Sequence, residues 1–568
     1  MNSIVRGPLC FMYLKKSKSF LVLLMSVLCL LAACREDEKI TESDIAELPD
    51  TSVYSDRPLT FEILRIEPTL IDSLIGDERI YGAVLKEVHD IYRKEDYGTL
   101  WFGPSGLTEQ TQKMINLLTN YFSSGILDST VLVPEITERY HQIRSGENDL
   151  SDTFIMESDV LFTAQFFLIA SKAWKGIGPE KARQLEWFLP LKQTSLTEYL
   201  QKALSDTSAV AKVPVFMQYE RMVNKLLHFE QIMRNGGFTV ITKTDHFIAA
   251  GDTSLIIPSI RKRLNQEGAA LNDSTGEIFD DLLAEAIVNS RVSYGLSDTA
   301  LIDNKLIAAL NIPVESRIRQ MLINLERWKW IPQSLSDHYI VVNLPDYRLH
   351  VFENGRRIKS MRVIIGKEVN QTVIFSGNIS QVVFSPYWTI PKSIIIKETL
   401  PAIRNNKNYL QANNMEVVSA DGEVIDPSAI NWSKYQTNFP YTIRQRPGPN
   451  NALGHVKFLF PNNYAIYLHD TPARHLFSMA DRRYSHGCIR IEEPEWLADY
   501  LLSDQPEWND ENIRKAMHGK IETSVKTIHQ TPVFITYFTS WVDSQGRLHF
   551  RDDIYGHDRK LERELFGD

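Results

Sequence analysis

The 568-residue chain is 43% hydrophobic and 23% charged, ordinary values for globular protein, and its length implies several domains with more than one core. Its formal net charge is −9. With no basic stripe beyond the first 20 residues, that balance speaks against a nucleic-acid binder.

At the N-terminus, Lys15, Lys16 and Lys18 precede an apolar run from Ser19 to Leu31. The run is short for a spanning helix and sits where a secretory signal sits. It ends in Leu31-Ala32-Ala33-Cys34, followed at once by polar sequence. That tetrapeptide resembles the bacterial lipoprotein cleavage box. The expectation is a signal peptide over 1–33, lipidation of Cys34 and attachment to a membrane, the outer membrane in particular, through lipid. Residues 34–60 are polar and rich in Asp and Glu and read as a disordered tether. No later apolar run is expected to span a bilayer.

Apolar residues at three- and four-residue spacing predict a helical scaffold over 61–253. A compact unit of three helices follows over 254–313, closed by Ile312-Pro313. It resembles the small peptidoglycan-binding domain and carries its Gly295-Leu296 pair. Ser290-Arg291 stands where that domain has Phe-Gln, and the turn after Leu296 lacks Asp-Gly, so glycan binding and a purely structural role both stay open. Residues 314–337 are expected to form a connecting helix. From His338 the period changes to two, as in Tyr339 to Leu344 and Arg348 to Phe352, and a mainly β domain is predicted over 338–545. Helical and Asn-rich sequence over 391–446 interrupts it, as a lid does. Strands resume at Val456 to Phe460 and Tyr464 to His469, and 546–568 are set down as a tail. The expected fold class is multidomain α+β.

The chain has four cysteines, Cys10, Cys29, Cys34 and Cys488. Cleavage would remove two and lipid would occupy the third, which leaves one thiol in an oxidising compartment. Its surroundings are Ser485-His486-Gly487-Cys488-Ile489-Arg490, and upstream a β-rich run ends in His469-Asp470-Thr471-Pro472. A thiol of ordinary pKa is mostly protonated at neutral pH, and a neighbouring imidazole takes the proton. Glycine lets backbone approach a substrate, turn N–H groups stabilise an oxyanion, and arginine offers a fork to a carboxylate. Residue types alone do not choose between His469 and His486 as base. They leave Arg490 open as a structural ion-pair partner or a substrate ligand. No metal-ligand spacing surrounds these residues.

His469, fifteen residues, and then Ser-His-Gly-Cys-Ile-Arg resembles the signature of the YkuD-type L,D-transpeptidases. The likeness extends to Tyr387-Trp388 before Ile390-Pro391, Gln445-x-Pro447-Gly448, Asn451-Ala-Leu-Gly454 and His469-Asp-Thr-Pro472. The larger subgroup, with a helical scaffold, a peptidoglycan-binding unit and a lid over the site, is similar to this chain from about 60 to 545. The resemblance implies Cys488 as nucleophile and His469 as base, oriented by the Asp470 carbonyl. It implies supporting roles for Ser485 and His486, an oxyanion hole from the N–H groups of Gly487 and Cys488, and Arg490 at a substrate carboxylate or as support. It further implies acyl transfer between peptidoglycan stem peptides, without cofactor or metal, and acylation by carbapenems. Hydrolysis of stems or attachment of a protein to the wall by the same chemistry stays open. So does a wall-binding lipoprotein without catalysis.

Overall fold

The computed structural model describes residues 64–567, apart from 104–105, 124–133, 146–149, 193–194, 211–212, 273–274 and 333–334. The signal segment, Cys34 and the tether lie outside the described residues.

The scaffold is helical, as its spacing predicts, and it packs around one helix that is not amphipathic. Asp152–Ala170 is buried on nearly every side, from Ile155 through Phe162, Phe166 and Phe167 to Ala170. Ser151 starts it by accepting from the Phe154 N–H at 3.2 Å, satisfying one of the free amides of a first turn. The stretch Asp152–Gln184 is long and apolar enough to cross a membrane, contrary to the expectation that no such run follows the leader. Its windowed residues are 72% buried within the protein, as in the central helix of a soluble core.

That helix also buries a carboxylate. Asp159 accepts from the Tyr92 hydroxyl at 2.6 Å, the Trp101 N–H at 2.8 Å and the Leu100 N–H at 2.9 Å. Burial pushes its pKa up to about 6, against these hydrogen bonds, which lower it. The folded-state value therefore exceeds the unfolded 3.8. The stability gained from holding the proton is complete below the unfolded value and is lost as pH rises through the folded one. Resistance to urea should fall by about 3 kcal/mol across that interval. Asp159→Asn should flatten the slope in urea titrations at a series of pH values.

The three-helix unit comprises Ile257–Gln266, Asp281–Ser293 and Asn304–Leu310. Its core includes Ile260, Leu264, Leu283, Ile287, Leu306 and Leu310. Arg551 fastens it to the β domain. The guanidinium donates to Asp346 Oδ1 at 2.7 Å and to the Ser293 carbonyl at 2.8 Å. Gly295 has φ +71°, and a Cβ there would lie 2.8 Å from Arg551 Cδ. In this chain Gly295 thus serves a close packing contact between domains.

The β domain closes on itself. His338–Asn343 pairs with Arg348–Glu353, which pairs with Arg356–Gly366 and, through it, with Ile489–Ile491. The ring continues through Leu468–His469, Val456–Leu459, Ile374–Phe384 and Thr523–Thr536, which returns to His338–Asn343. Every strand of this barrel has two neighbours, so no edge is left open. Alternate side chains such as Ile340, Val342, Leu349, Val363, Val382, Phe458 and Leu468 fill the interior. The scaffold adds a short strand, Trp187–Phe188, parallel to Ile374–Phe375.

Two stretches differ from their sequence reading. The insertion carries three strands as well as helices, Met415–Val418, Val424–Ile425 and Thr442–Gln445, which form a four-stranded antiparallel sheet with Trp388–Thr389 just before it. Its core, with Ile395, Leu400, Ile403, Val417 and Ile443, is its own. These strands are too short for alternation to show. Residues expected as a tail form a strand, Leu548–Phe550, and a helix, His557–Phe566. Asp558 of that helix meets the buried Arg327 at 2.5 Å. Set down from sequence only as a tail, this stretch packs through that tertiary partner.

Candidate active site

Cys488 follows a turn that is held from three directions. Ser485, itself buried, donates from Oγ to the Cys488 carbonyl at 2.5 Å and accepts from the Gly487 N–H at 3.1 Å. The Gly487 carbonyl accepts from Thr372 Oγ1 at 2.8 Å, and Thr372 accepts from the Gly366 N–H at 2.9 Å. Tyr555, within the expected tail, donates to the Gly366 carbonyl at 2.5 Å. Gly487 has φ +122°, where a side chain is strongly disfavoured.

Parallel pairing of Leu468–His469 with Ile489–Ile491 sets His469 opposite Arg490. Cys488 lies in the bend just before that strand, and the Arg490 charge acts on both the Cys488 thiol and the His469 imidazole. His469 is buried, and its Nδ1 lies 2.5 Å from the Asp470 carbonyl. A carbonyl only accepts, so Nδ1 carries the proton and Nε2 is left basic. Burial, then the charge of Arg490, lowers the imidazole pKa to about 3. Burial likewise raises the Cys488 thiol. Both shifts favour the neutral forms of the pair. The Asp470 carboxylate turns away, accepting from the His455 N–H at 2.9 Å and from Arg474 at 3.2 Å. Gly454 makes room for it, since a Cβ there would come 2.3 Å from Asp470 Oδ2.

Among the described residues, the thiol donates to the Ala465 carbonyl at 3.6 Å, and its sulfur accepts from the backbone N–H and the hydroxyl of Tyr467. None joins it to His469. A catalytic pairing that tightens only when substrate binds has this resting geometry. Tyr467 was not singled out from sequence, although its place two residues before His469 is a usable signal, and its ring lies 5.7 Å from the imidazole. The predicted strand from Tyr464 is cut to Leu468–His469 because Asn462 takes the backbone of Tyr464 and Ile466.

His486 points elsewhere. Its Nε2 lies 2.9 Å from Glu398 Oε1 in the insertion. Arg490 makes no ion pair among the described residues, and its buried Nε has no partner. The Gly487 N–H, assigned by resemblance to an oxyanion hole, is engaged by Ser485 Oγ, which leaves the Cys488 N–H as the donor of the turn. The insertion joins the barrel at Gln445 and Asn451. Gln445 donates to the Asn413 and Asn450 carbonyls, and Asn451 to the Pro386 and Arg446 carbonyls, each at 3.0 to 3.1 Å.

Residues 337–535 match the YkuD L,D-transpeptidase catalytic domain, and residues 86–226 match the Scaffold domain. This chain contains an L,D-transpeptidase catalytic domain. The domain belongs to a family of cysteine-dependent enzymes of cell-envelope peptidoglycan. A Haemophilus influenzae protein that carries the L,D-transpeptidase name is 36% identical over 248 residues, covering 44% of this chain. The chain spans 50% of that relative's length. Among solved structures, an L,D-transpeptidase from Mycobacterium smegmatis is similar at 12% identity and a TM-score of 0.18, over 35% of this chain and 58% of that one. LdtMt1 in complex with imipenem is similar at 15% identity and a TM-score of 0.17, over 35% and 59%.

Proposed function

We propose that the chain crosslinks peptidoglycan by cysteine acyl transfer. The observation that carries this reading is the pairing of the tautomer-fixed His469 with an Arg490 that has no ion-pair partner among the described residues and whose charge acts on the Cys488 thiol. In the proposed reaction, His469 Nε2 takes the thiol proton as sulfur attacks the carbonyl of the third residue of a tetrapeptide stem. The Cys488 N–H meets the oxyanion. The terminal D-alanine leaves as the amine, protonated by His469, and a thioester remains. A side-chain amine of a second stem then gives its proton to His469 and attacks the thioester, and the thiolate leaves. Arg490 suits the carboxylate of the departing residue, because a half-buried guanidinium with an unpartnered Nε gains most when an anion arrives. The test is mass spectrometry of the full chain with defined tetrapeptide muropeptides. Thioester and crosslinked dimer should appear together, and neither should form from tripeptide stems alone.

Residues 391–446 serve as a lid in this reading. The support is a self-cored insertion whose Glu398 reaches His486 beside the nucleophile. A lid sequesters the thioester from water. A shortened insertion should raise the ratio of hydrolysed to crosslinked product, and an unchanged ratio in a folded variant would remove the lid role.

The leader sequence supports a periplasmic enzyme anchored to a membrane, the outer membrane in particular, through Cys34. Labelling with a clickable fatty acid should mark wild type and leave Cys34→Ala unlabelled.

A further inference from the structure

The thiol rests on the segment Tyr464–Tyr467 rather than on the base. Ala465, whose carbonyl accepts from Sγ at 3.6 Å, has φ +53°. A residue with a side chain holds that conformation only where its surroundings enforce it. From within, Asn462 Oδ1 accepts from the N–H groups of Tyr464 and Ile466, and its Nδ2 donates to the Ile466 carbonyl at 2.7 Å. From outside, Tyr464 is packed by two aromatic rings. Phe375 lies 4.8 Å from it and Phe188 5.8 Å. Phe375 belongs to the barrel, but Phe188 belongs to the scaffold domain. Its strand pairs with the barrel at Phe188↔Phe375, which brings the scaffold to the thiol's support.

We infer that Phe188 is a positioning residue for Cys488, through Tyr464 and the Ala465 carbonyl, so that the scaffold domain sets the attack geometry of a nucleophile it does not touch. Phe188 is 40% exposed, so its ring contributes little to the core. Its contact instead fixes one side of a strained, otherwise exposed loop. The inference rests on the acyl-transfer reading. A displacement on the order of an ångström at the reacting atom is worth roughly a hundredfold in rate. Loss of one of the two rings on Tyr464 should therefore cost about tenfold.

The experiment uses the full chain with Phe188→Ala, Phe188→Tyr, Tyr464→Ala and the Phe188→Ala/Tyr464→Ala double variant, acylated by meropenem and followed by intact mass. The first-order acylation rate of Phe188→Ala should fall about tenfold, while the drug concentration for half-saturation stays at the wild-type value. Phe188→Tyr should restore the rate, and the double variant should be no slower than the slower single variant, since both act along one path. Wild-type rates in Phe188→Ala, or costs that add, would overturn the inference. If wild type itself takes up no meropenem, the acyl-transfer reading is what fails. Iodoacetamide alkylation mapped to Cys488 then tests the positioning. It should be faster in folded Phe188→Ala, where the thiol leaves the Ala465 carbonyl, and an unchanged rate would overturn it.

Discussion

Substituting Cys488 by serine should abolish acylation, with a loss of more than about three orders of magnitude. Wild type mixed with excess carbapenem should gain the mass of one drug molecule, and Cys488→Ser should gain none. The expectation follows from the chemistry of the pocket. The thiol is half-buried, raised in pKa by that burial, and close to a guanidinium whose charge favours the thiolate. A serine hydroxyl in the same place is far less acidic and meets a base that holds protons weakly. Intact-mass analysis decides the matter. An unmodified wild type would sink the assignment of nucleophile, and equal modification of both proteins would place the reactive group elsewhere.

His469→Ala should slow acylation by roughly two to four orders of magnitude, the usual contribution of a positioned base. His486→Ala should cost far less, because His486 is turned toward Glu398 and away from the thiol's partners. The pH dependence has a definite sign. The folded imidazole pKa is depressed from 6.5 to about 3, so the base stays neutral through the mildly acidic range. The acid limb of the acylation rate should therefore lie well below the ordinary histidine range. Arg490 contributes to that depression, so Arg490→Met should move the limb upward. The same shift bears on stability. A histidine with a depressed folded pKa contributes stability that is complete above 6.5 and is lost as pH falls through that value toward the folded one. Stopped-flow acylation against pH in the variants checks both points. A His486→Ala variant that loses the acid limb while His469→Ala keeps it would reverse the roles.

Much of the site is legible in the sequence, because the chemistry there is local. Ser485, Gly487 and Cys488 lie on one turn, and the left-handed φ of Gly487 and the Ser485 Oγ bridge are properties of that short stretch. The barrel is legible for a similar reason. Alternation records which face of each strand is buried, and the long strands carry enough residues to show it. The same logic identifies the scaffold as helical, with one exception. Asp152–Ala170 has no polar face, and its sequence alone does not separate a core helix from a membrane span.

The rest was settled by contacts between residues far apart in the chain. Neither His469 nor Arg490 reveals in sequence that they sit opposite each other, since strand register is a pairing property. The choice of Ala465 and Tyr467 as the thiol's partners depends on Asn462 shortening a strand. Residues 546–568 are set down as a tail until Arg327 is seen to bury Asp558 of the helix His557–Phe566, and Glu398 has no signal at all before the insertion folds over His486. The sequence by itself determined the chemistry this protein carries: one motif-bound thiol, two histidines and an arginine. Only the tertiary structure decided which histidine lies across from Arg490, what holds the thiol, and that the scaffold packs on Tyr464. Side-chain identity is a local property, whereas burial, register and the field around a titrating group arise from residues brought together by packing.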